Sequence, residues 1–161
     1  MLTLSKSEQD AKYSKLMEQR RWRGPNLPAV MFISAWDSMS SDHNYNTQRH
    51  LQLRDVLEEH RYSFKPVLGC WEEVQEASYC VVLPSEITLQ EAAIAELKRI
   101  AFDRFDQAAV LIADRYRMCT LHWDGGDVTE AGQLVPATFE EAHAAGDYTY
   151  DPQQDQYYIT R

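Results

Sequence analysis

The residues best suited to chemistry lie around the segment from Val67 to Glu76, which has the pattern of a β-hairpin with acidic side chains near its tip. The segment holds three glutamates and one tryptophan between two runs of strand-forming residues. A carboxylate at such a tip can transfer a proton or bind a cation. The candidate side chains in and before the hairpin are Arg49, His50, Tyr62, Trp71 and the three glutamates Glu72, Glu73 and Glu76. From the residues alone, each glutamate is interpreted as a solvated acid.

Several kinds of chemistry are excluded by motif. The histidines and cysteines are scattered and form no HExxH or CxxC pattern, which argues against a zinc site. Neither a phosphate-binding loop nor a dinucleotide fingerprint occurs, because the adjacent glycines Gly125 and Gly126 lie in a predicted turn. No serine has the surroundings of a nucleophile elbow. We therefore expect no metal, no cofactor and a reaction that needs little covalent help.

Length and composition predict one domain in a reducing environment. A chain of 161 residues buries roughly 70% of its unfolded surface, which is enough for a core without staples. Three cysteines are an odd number, which favours buried thiols in the cytoplasm over a secreted disulfide framework. Met1 to Asp10 lacks the apolar centre of a secretory signal, and no apolar run has the length of a membrane span. We expect a cytoplasmic protein with no membrane partner.

Charge divides the chain near Pro25 to Pro28. Residues 1–28 hold six basic and three acidic side chains, and since the whole chain carries −9, residues 29–161 carry −12. We interpret residues 1–28 as a basic, flexible extension and residues 29–161 as the folded domain. The extension is either a partner- or nucleic-acid-binding arm or, as we prefer, a solvated segment. The acidic domain argues against a nucleic-acid partner.

Hydrophobic periodicity predicts the order β, α, β, β, α, β. The predicted strands are Val30–Trp36, Phe64–Leu68, Ala77–Leu83, Ala108–Ala113 and Arg117–Trp123. The predicted helices begin at Thr47 and Thr88. The second helix is predicted to bury one stripe of residues: Ile94, Leu97, Ala101 and Phe105. Thr88 and Glu91 have capping-box spacing. This order is that of a ferredoxin-like, PII-like α+β fold, with two helices on one face of an open antiparallel sheet and extra C-terminal strands.

The open face of such a sheet needs a cover. The aromatic tail with Tyr148, Tyr150, Tyr157 and Tyr158 or a second copy of the chain would provide it. We expect a homo-oligomer, preferably a trimer, with sites between subunits.

Four separated blocks resemble one known family. They are Ser34, Ala35 and Trp36; Asn46, Arg49 and His50; Gly69, Cys70, Trp71 and Glu73; and Gln107 followed by Ala109, Val110 and Leu111. From Val30 onward the chain resembles the S-adenosylmethionine (SAM) cleaving enzymes of short-tailed bacteriophages, long called SAM hydrolases and better described as SAM lyases. Each block is weak alone, but their order and approximate spacing agree over most of the predicted domain.

The resemblance implies cleavage of SAM to 5′-methylthioadenosine and homoserine lactone, by attack of the substrate's own carboxylate on its Cγ. Glu73 is then predicted to be catalytic, by holding the substrate ammonium or lying near the sulfonium, and Tyr62 to hydrogen-bond Glu73 or the substrate. The predicted substrate-binding residues are Ser34, Trp36, Arg49, His50, Gly69, Trp71 and Gln107. A phage enzyme of this kind would oppose host restriction by depleting the methyl donor.

Plainer interpretations stay open. Arg49 is equally consistent with a surface salt bridge to Asp55 or a neighbouring acid, and Trp36 with a core residue. For His50, a packed or capping imidazole is the preferred interpretation. Two other classes of protein also remain: a PII-like trimer that binds an adenine nucleotide without consuming it, and an acidic protein that inhibits restriction enzymes by imitating DNA. The acids are interspersed with arginine and apolar residues, which ranks the DNA mimic last.

Overall fold

The computed structural model describes residues 28–161, so the predicted N-terminal extension lies outside the described residues apart from Pro28. The strands are β1 (Val30–Ser34), β2 (Phe64–Trp71), β3 (Val74–Val82), β4 (Ala109–Ala113), β5 (Met118–Trp123), β6 (Val128–Ala137), β7 (Tyr148–Asp151) and β8 (Gln156–Thr160). The helices are α1 (His43–Glu59), α2 (Ile87–Arg99) and α3 (Phe139–Ala145), and α2 continues into a π-helical turn at Ile100–Arg104.

All eight strands belong to one antiparallel sheet that closes on itself in the order β1-β3-β2-β7-β8-β6-β5-β4. At one point of the ring β1 lies between β3 and β4, so that Phe32 is opposite both Cys80 and Leu111. On the far side, β2 pairs with β7 and β6 pairs with β8. No edge is left unpaired in this ring, which satisfies the backbone groups that an open sheet would expose.

The predicted ferredoxin-like open sheet is therefore wrong. The first six elements have the predicted order, but the sheet continues through β5, β6, β8 and β7 and returns to β2. The C-terminal strands thus do not lie across the sheet as a cover. They extend the sheet by main-chain pairing until it closes into a barrel, with one face of the sheet turned to the interior.

Residues alternate between the two faces of the wall because successive side chains of a strand point in opposite directions. On the outer face, Met31 and Ile33 of β1 and Val81 of β3 pack against Leu53 of α1 and Leu97 of α2. Phe105, Ala101 and Leu97 of the predicted helical stripe are buried there, whereas Ile94 is only partly buried. The inner face carries a separate cluster, Val30, Val67, Cys80, Ala113, Cys119 and Leu134. All three cysteines are buried and unpaired.

Two helix starts differ from prediction. Asp42 caps α1 by accepting a hydrogen bond from the Tyr45 N–H, so this helix begins four residues before Thr47. The cap of α2 is Glu86, whose carboxylate accepts from the N–H groups of Thr88 and Leu89, rather than Thr88 itself. A carboxylate can cap a helix as a hydroxyl does, since both supply an acceptor to the free N–H groups. Among residues 28–161, no helix has the length and apolar character needed to cross a membrane.

Candidate active site

The barrel contains a cavity of about 920 Å³ that is partly open to solvent, a volume within the range of small-molecule sites. Aromatic rings form much of its lining, from Phe32 and Trp36 on one side to Trp123 and Tyr158 on the other. Its polar lining comes from β1, α1, β3, β6, β7 and β8 and from the loops beside them. The cavity lies within a single chain, so it requires no second copy to form.

The wall formed by β1, β2 and β3 brings Ser34, Gly69, Glu76 and Ser78 together. Ser34 is opposite Ser78, and Gly69 is opposite Glu76, so these residues share the inner face. A Cβ atom on Gly69 would lie 3.3 Å from the Ser78 Oγ and 3.6 Å from the Glu76 carbonyl oxygen, so its absence leaves room at this part of the wall. Burial raises the pKa of Glu76 above the usual range of a glutamate, because a carboxylate is poorly solvated there.

Arg49 ties α1 to two other segments at the rim of the cavity. Its Nε donates to the carbonyl of Ala35 at 2.6 Å, and its Nη2 donates to the carbonyl of Phe105. Its Nη1 donates to the Tyr45 hydroxyl at 3.3 Å, and the guanidinium carbon lies 5.5 Å from the Tyr45 ring centroid and 5.7 Å from that of Phe105. The guanidinium thus supplies donors to two carbonyls, one just after β1 and one at the end of the π-helical turn, and so holds these segments to α1.

Gln107 and Asn46 fix the same rim. The Nε2 of Gln107 donates to the carbonyls of Trp36 and Phe105, both at 3.1 Å. Because a flipped amide would turn its oxygen toward two carbonyl oxygens, the Oε1 of Gln107 is held away from them as an acceptor. The buried Asn46 accepts from the Asp37 N–H at 2.7 Å and donates to the Asp37 carbonyl at 3.0 Å. It thereby holds the loop that follows β1.

Glu73 lies at the hairpin turn, exposed, and is not among the residues that line the cavity. Glu72 and Glu73 have φ angles of 48° and 67°, a left-handed pair that is usually Asn-Gly in a two-residue hairpin. The Glu72 N–H donates to the Asp147 carboxylate at 2.7 Å, and the Glu73 N–H to the Gly146 carbonyl at 3.4 Å. Non-glycine residues in this left-handed conformation are strained, and such strain is common at functional sites.

Tyr62 and His50 lie in the layer between the helices and the outer face of the sheet. The Tyr62 hydroxyl donates to Glu96 at 2.5 Å, so its hydrogen bond links the end of α1 to α2 rather than reaching Glu73. Burial and then this bond raise the pKa of Tyr62. The His50 ring stacks on Tyr79 with centroids 4.2 Å apart, and burial and the charge of Arg54 lower its pKa. Both side chains have structural partners in this layer.

The cavity thus brings together most of the residues predicted to bind substrate and leaves three predicted residues elsewhere. Those that line it are Ser34, Trp36, Arg49, Gly69, Trp71 and Gln107, and those that do not are His50, Tyr62 and Glu73. Glu76 lines the cavity, so its interpretation as a solvated acid is wrong. The alternation of Glu76, Ser78 and Cys80 along one face of β3 was the signal that could have located it.

The charge of the lining is strongly acidic. It contains five acids, Asp37, Glu76, Asp106, Glu130 and Asp147, and, among the described residues that line it, Arg49 as the one basic side chain. The lining therefore has four more acidic than basic side chains, and this field favours a cationic ligand. Within residues 28–161, no three His, Cys, Asp or Glu side chains are grouped so that they could hold a metal ion.

Comparison with known proteins agrees with the resemblance noted from the separated sequence blocks. Residues 31–161 match the model of the S-adenosylmethionine lyase family, which is most of the chain and includes nearly all of the barrel. A comparison with curated proteins found no match. The chain therefore belongs to the S-adenosylmethionine lyase family of enzymes.

Proposed function

We propose that this lyase binds SAM in the barrel cavity and converts it to 5′-methylthioadenosine and L-homoserine lactone. The observation that carries the proposal is the cavity itself, whose aromatic lining and excess of acids suit an adenosine joined to a chain with a sulfonium and an ammonium. Ring faces can stack on adenine and attract cations. The net positive charge of SAM matches the field of five acids against one arginine.

The proposed reaction needs no nucleophile from the protein. An oxygen of the substrate carboxylate attacks Cγ and forms the C–O bond of the lactone, while the Cγ–S bond breaks and its electron pair neutralises the sulfonium sulfur. No proton has to move in this step. Well-oriented intramolecular reactions reach effective molarities of about 10⁵ to 10⁸ M, so holding the folded-back conformer and excluding water supply most of the catalysis.

The residues on the wall have complementary parts in this proposal. Trp36 and Trp71 offer ring faces to the adenosine, and the fixed acceptor of Gln107 suits the exocyclic amino group of adenine. Arg49 has five N–H donors, of which three hydrogen bonds to protein groups leave two for the substrate carboxylate. Hydrogen bonds from these two donors would orient the substrate carboxylate and would lower its nucleophilicity less than a full bidentate pair would.

One experiment tests the reaction. The purified protein is incubated with SAM in ¹⁸O-labelled water, and the products are identified by mass spectrometry. We expect methylthioadenosine and unlabelled homoserine lactone. Label in homoserine formed as the first product would indicate hydrolysis, and unchanged SAM would contradict both reactions.

The biological role that we propose is to deprive SAM-dependent restriction systems of their cofactor. The concentration of SAM in cells that express the protein would report this effect.

Glu73 is proposed to act at a site shared between copies of the chain. Its exposed position at the hairpin turn means that it must reach ligand from outside the cavity of its own chain, as a trimer with sites between subunits would allow. Glu73→Gln should then lower kcat by about 100-fold or more while SAM binding is kept, because a misoriented substrate does not reach the attack geometry. Turnover and calorimetric binding measure the two effects.

The matched control is Glu72→Gln, which removes the neighbouring charge from the same left-handed turn. It should leave kcat close to that of the wild type. Equal losses in the two variants would assign the effect to the turn or to its charge rather than to Glu73, and full activity of Glu73→Gln would remove Glu73 from the mechanism.

A further inference from the structure

Glu76 is a partly buried carboxylate on the cavity wall that has no counterion. Among the described residues, none donates a hydrogen bond to its carboxylate or forms an ion pair with it. The carboxylate lines the cavity on β3, whose residue 76 is paired through its backbone with Gly69 of β2. A buried charge without a partner is costly, so such groups are usually paired with a side chain or a ligand. The structure shows the space next to Glu76 to be cavity, since Gly69 opposite it has no side chain.

The two serines on the same wall, Ser34 and Ser78, use their hydroxyl hydrogens elsewhere. The Ser78 hydroxyl donates to the Glu76 carbonyl at 3.3 Å, and the Ser34 hydroxyl donates to the Ala77 carbonyl at 3.0 Å. Each hydroxyl has one hydrogen, so both serines can only accept from a ligand, and the Ser34 oxygen, which also accepts from the Trp36 N–H at 3.0 Å, keeps one lone pair for it. This part of the wall is therefore a carboxylate beside two acceptors, and the group that complements it is a cation with several N–H donors.

We propose that Glu76 binds the α-ammonium of the substrate, with the hydroxyl oxygens of Ser34 and Ser78 beside it. The inference rests on the proposed function and deepens it by assigning the ammonium, which is the one donor-rich cation of SAM, to a specific carboxylate. An ammonium has three donors and no acceptor, which suits three acceptors on one wall. A hydrogen bond between two charged groups is also stronger than a neutral one.

The sulfonium of SAM suits Glu76 less well than the ammonium does, for two reasons. It has no N–H or O–H donor, so it would leave the acceptors of the wall unsatisfied. Its positive charge also disappears as the Cγ–S bond breaks, so a carboxylate against it would stabilise the substrate more than the transition state and slow the reaction. The ammonium keeps its charge throughout. A carboxylate bound to it can therefore position the methionine part without that cost.

Binding of three compounds to the full chain tests the assignment. S-adenosylhomocysteine has the ammonium but no sulfonium, and methylthioadenosine has neither, while SAM has both. Glu76→Gln should weaken SAM and S-adenosylhomocysteine by a similar factor, about 10- to 100-fold, because a charged hydrogen-bonded pair becomes a neutral contact. Methylthioadenosine should bind as it does to the wild type. Calorimetry gives the dissociation constants of S-adenosylhomocysteine and methylthioadenosine, and the KM of turnover reports the change for SAM.

Other outcomes overturn the inference. Weaker binding of SAM alone would assign Glu76 to the sulfonium, and equal weakening of all three compounds would indicate a distorted cavity. Unchanged binding of all three would remove Glu76 from the site. Glu72→Gln, which removes a charge outside the cavity, is the control and should change none of the constants. Failure of the wild type to cleave SAM would contradict the proposed function, whereas cleavage with unaltered binding in Glu76→Gln would contradict only this inference.

Discussion

Replacing Arg49 by methionine should lower the free energy of unfolding by about 1 to 3 kcal/mol, because the carbonyls of two buried residues each lose a donor. Those residues are Ala35 and Phe105, which are 0% and 2% exposed, and only the Phe105 carbonyl keeps another donor, the Gln107 amide. Methionine keeps most of the apolar stem between the rings of Tyr45 and Phe105 but cannot donate. Urea unfolding followed by fluorescence would measure the loss.

The comparison variant is Arg54→Met on the same helix. The Arg54 guanidinium pairs with the exposed Asp55 at 3.2 Å, and a surface pair of this kind contributes only about 0 to 1 kcal/mol. Arg49→Lys should recover little of the lost stability, because a lysine ammonium cannot reproduce the planar fork between two carbonyls. A stable Arg49→Met variant that has lost SAM binding would contradict this structural role and assign Arg49 to the substrate alone.

The helices and the first strands could be predicted from the sequence because their signals are local. Leu53, Val56 and Leu57 recur with helical spacing and are buried on α1, and the run from Ala109 to Ala113 is a strand as predicted. The Asp124-Gly125-Gly126 segment joins β5 to β6, as its turn composition predicted. In each case the residues that decide the structure are within a few positions of one another.

Closure of the sheet could not be predicted in this way. It depends on the pairing of β2 with β7, where Gly69 is opposite Thr149. Neither strand has a local sequence pattern that predicts which strand it pairs with. The tyrosines of the tail were predicted to cover an open face. Instead, Tyr158 reaches the inner cluster as part of β8, and Tyr148 belongs to a separate cluster with α3.

The site was only partly predictable, for a related reason. The separated family blocks named Ser34, Trp36 and Gln107, and the closed fold brings them to one cavity. Glu76 was missed because the predicted strand began one residue later, at Ala77, so that its place in the alternation of β3 was lost. Glu73 was named by its motif, but it lies exposed at the hairpin turn and is not among the residues that line the cavity. Its catalytic role stays a prediction.

Gly132→Ala should destabilise the fold by about 3 kcal/mol or more, since it combines backbone strain with a clash that cannot be relieved by a side-chain rotation. Gly132 lies in β6 at a φ of 87°, and a Cβ atom there would be 2.4 Å from the Arg161 carbonyl oxygen and 2.8 Å from its carbon. The next residue, Gln133, exchanges two backbone hydrogen bonds with Arg161, at 2.7 and 2.9 Å. The methyl group would therefore push apart the seam at which β8 closes the barrel on β6.

Gly125→Ala is the matched control because Gly125 also has a positive φ, 103°, but a Cβ atom added to it would have nothing within 4 Å. It should cost only the backbone strain, about 1 to 2 kcal/mol. The difference between the two variants in urea unfolding thus isolates the contact with Arg161. Since Leu134 and Tyr158 line the cavity beside this seam, Gly132→Ala should also weaken SAM binding, whereas Gly125→Ala should not. Equal stability losses in both variants would mean that β8 is not held against Gly132, and the closed barrel would then be wrong.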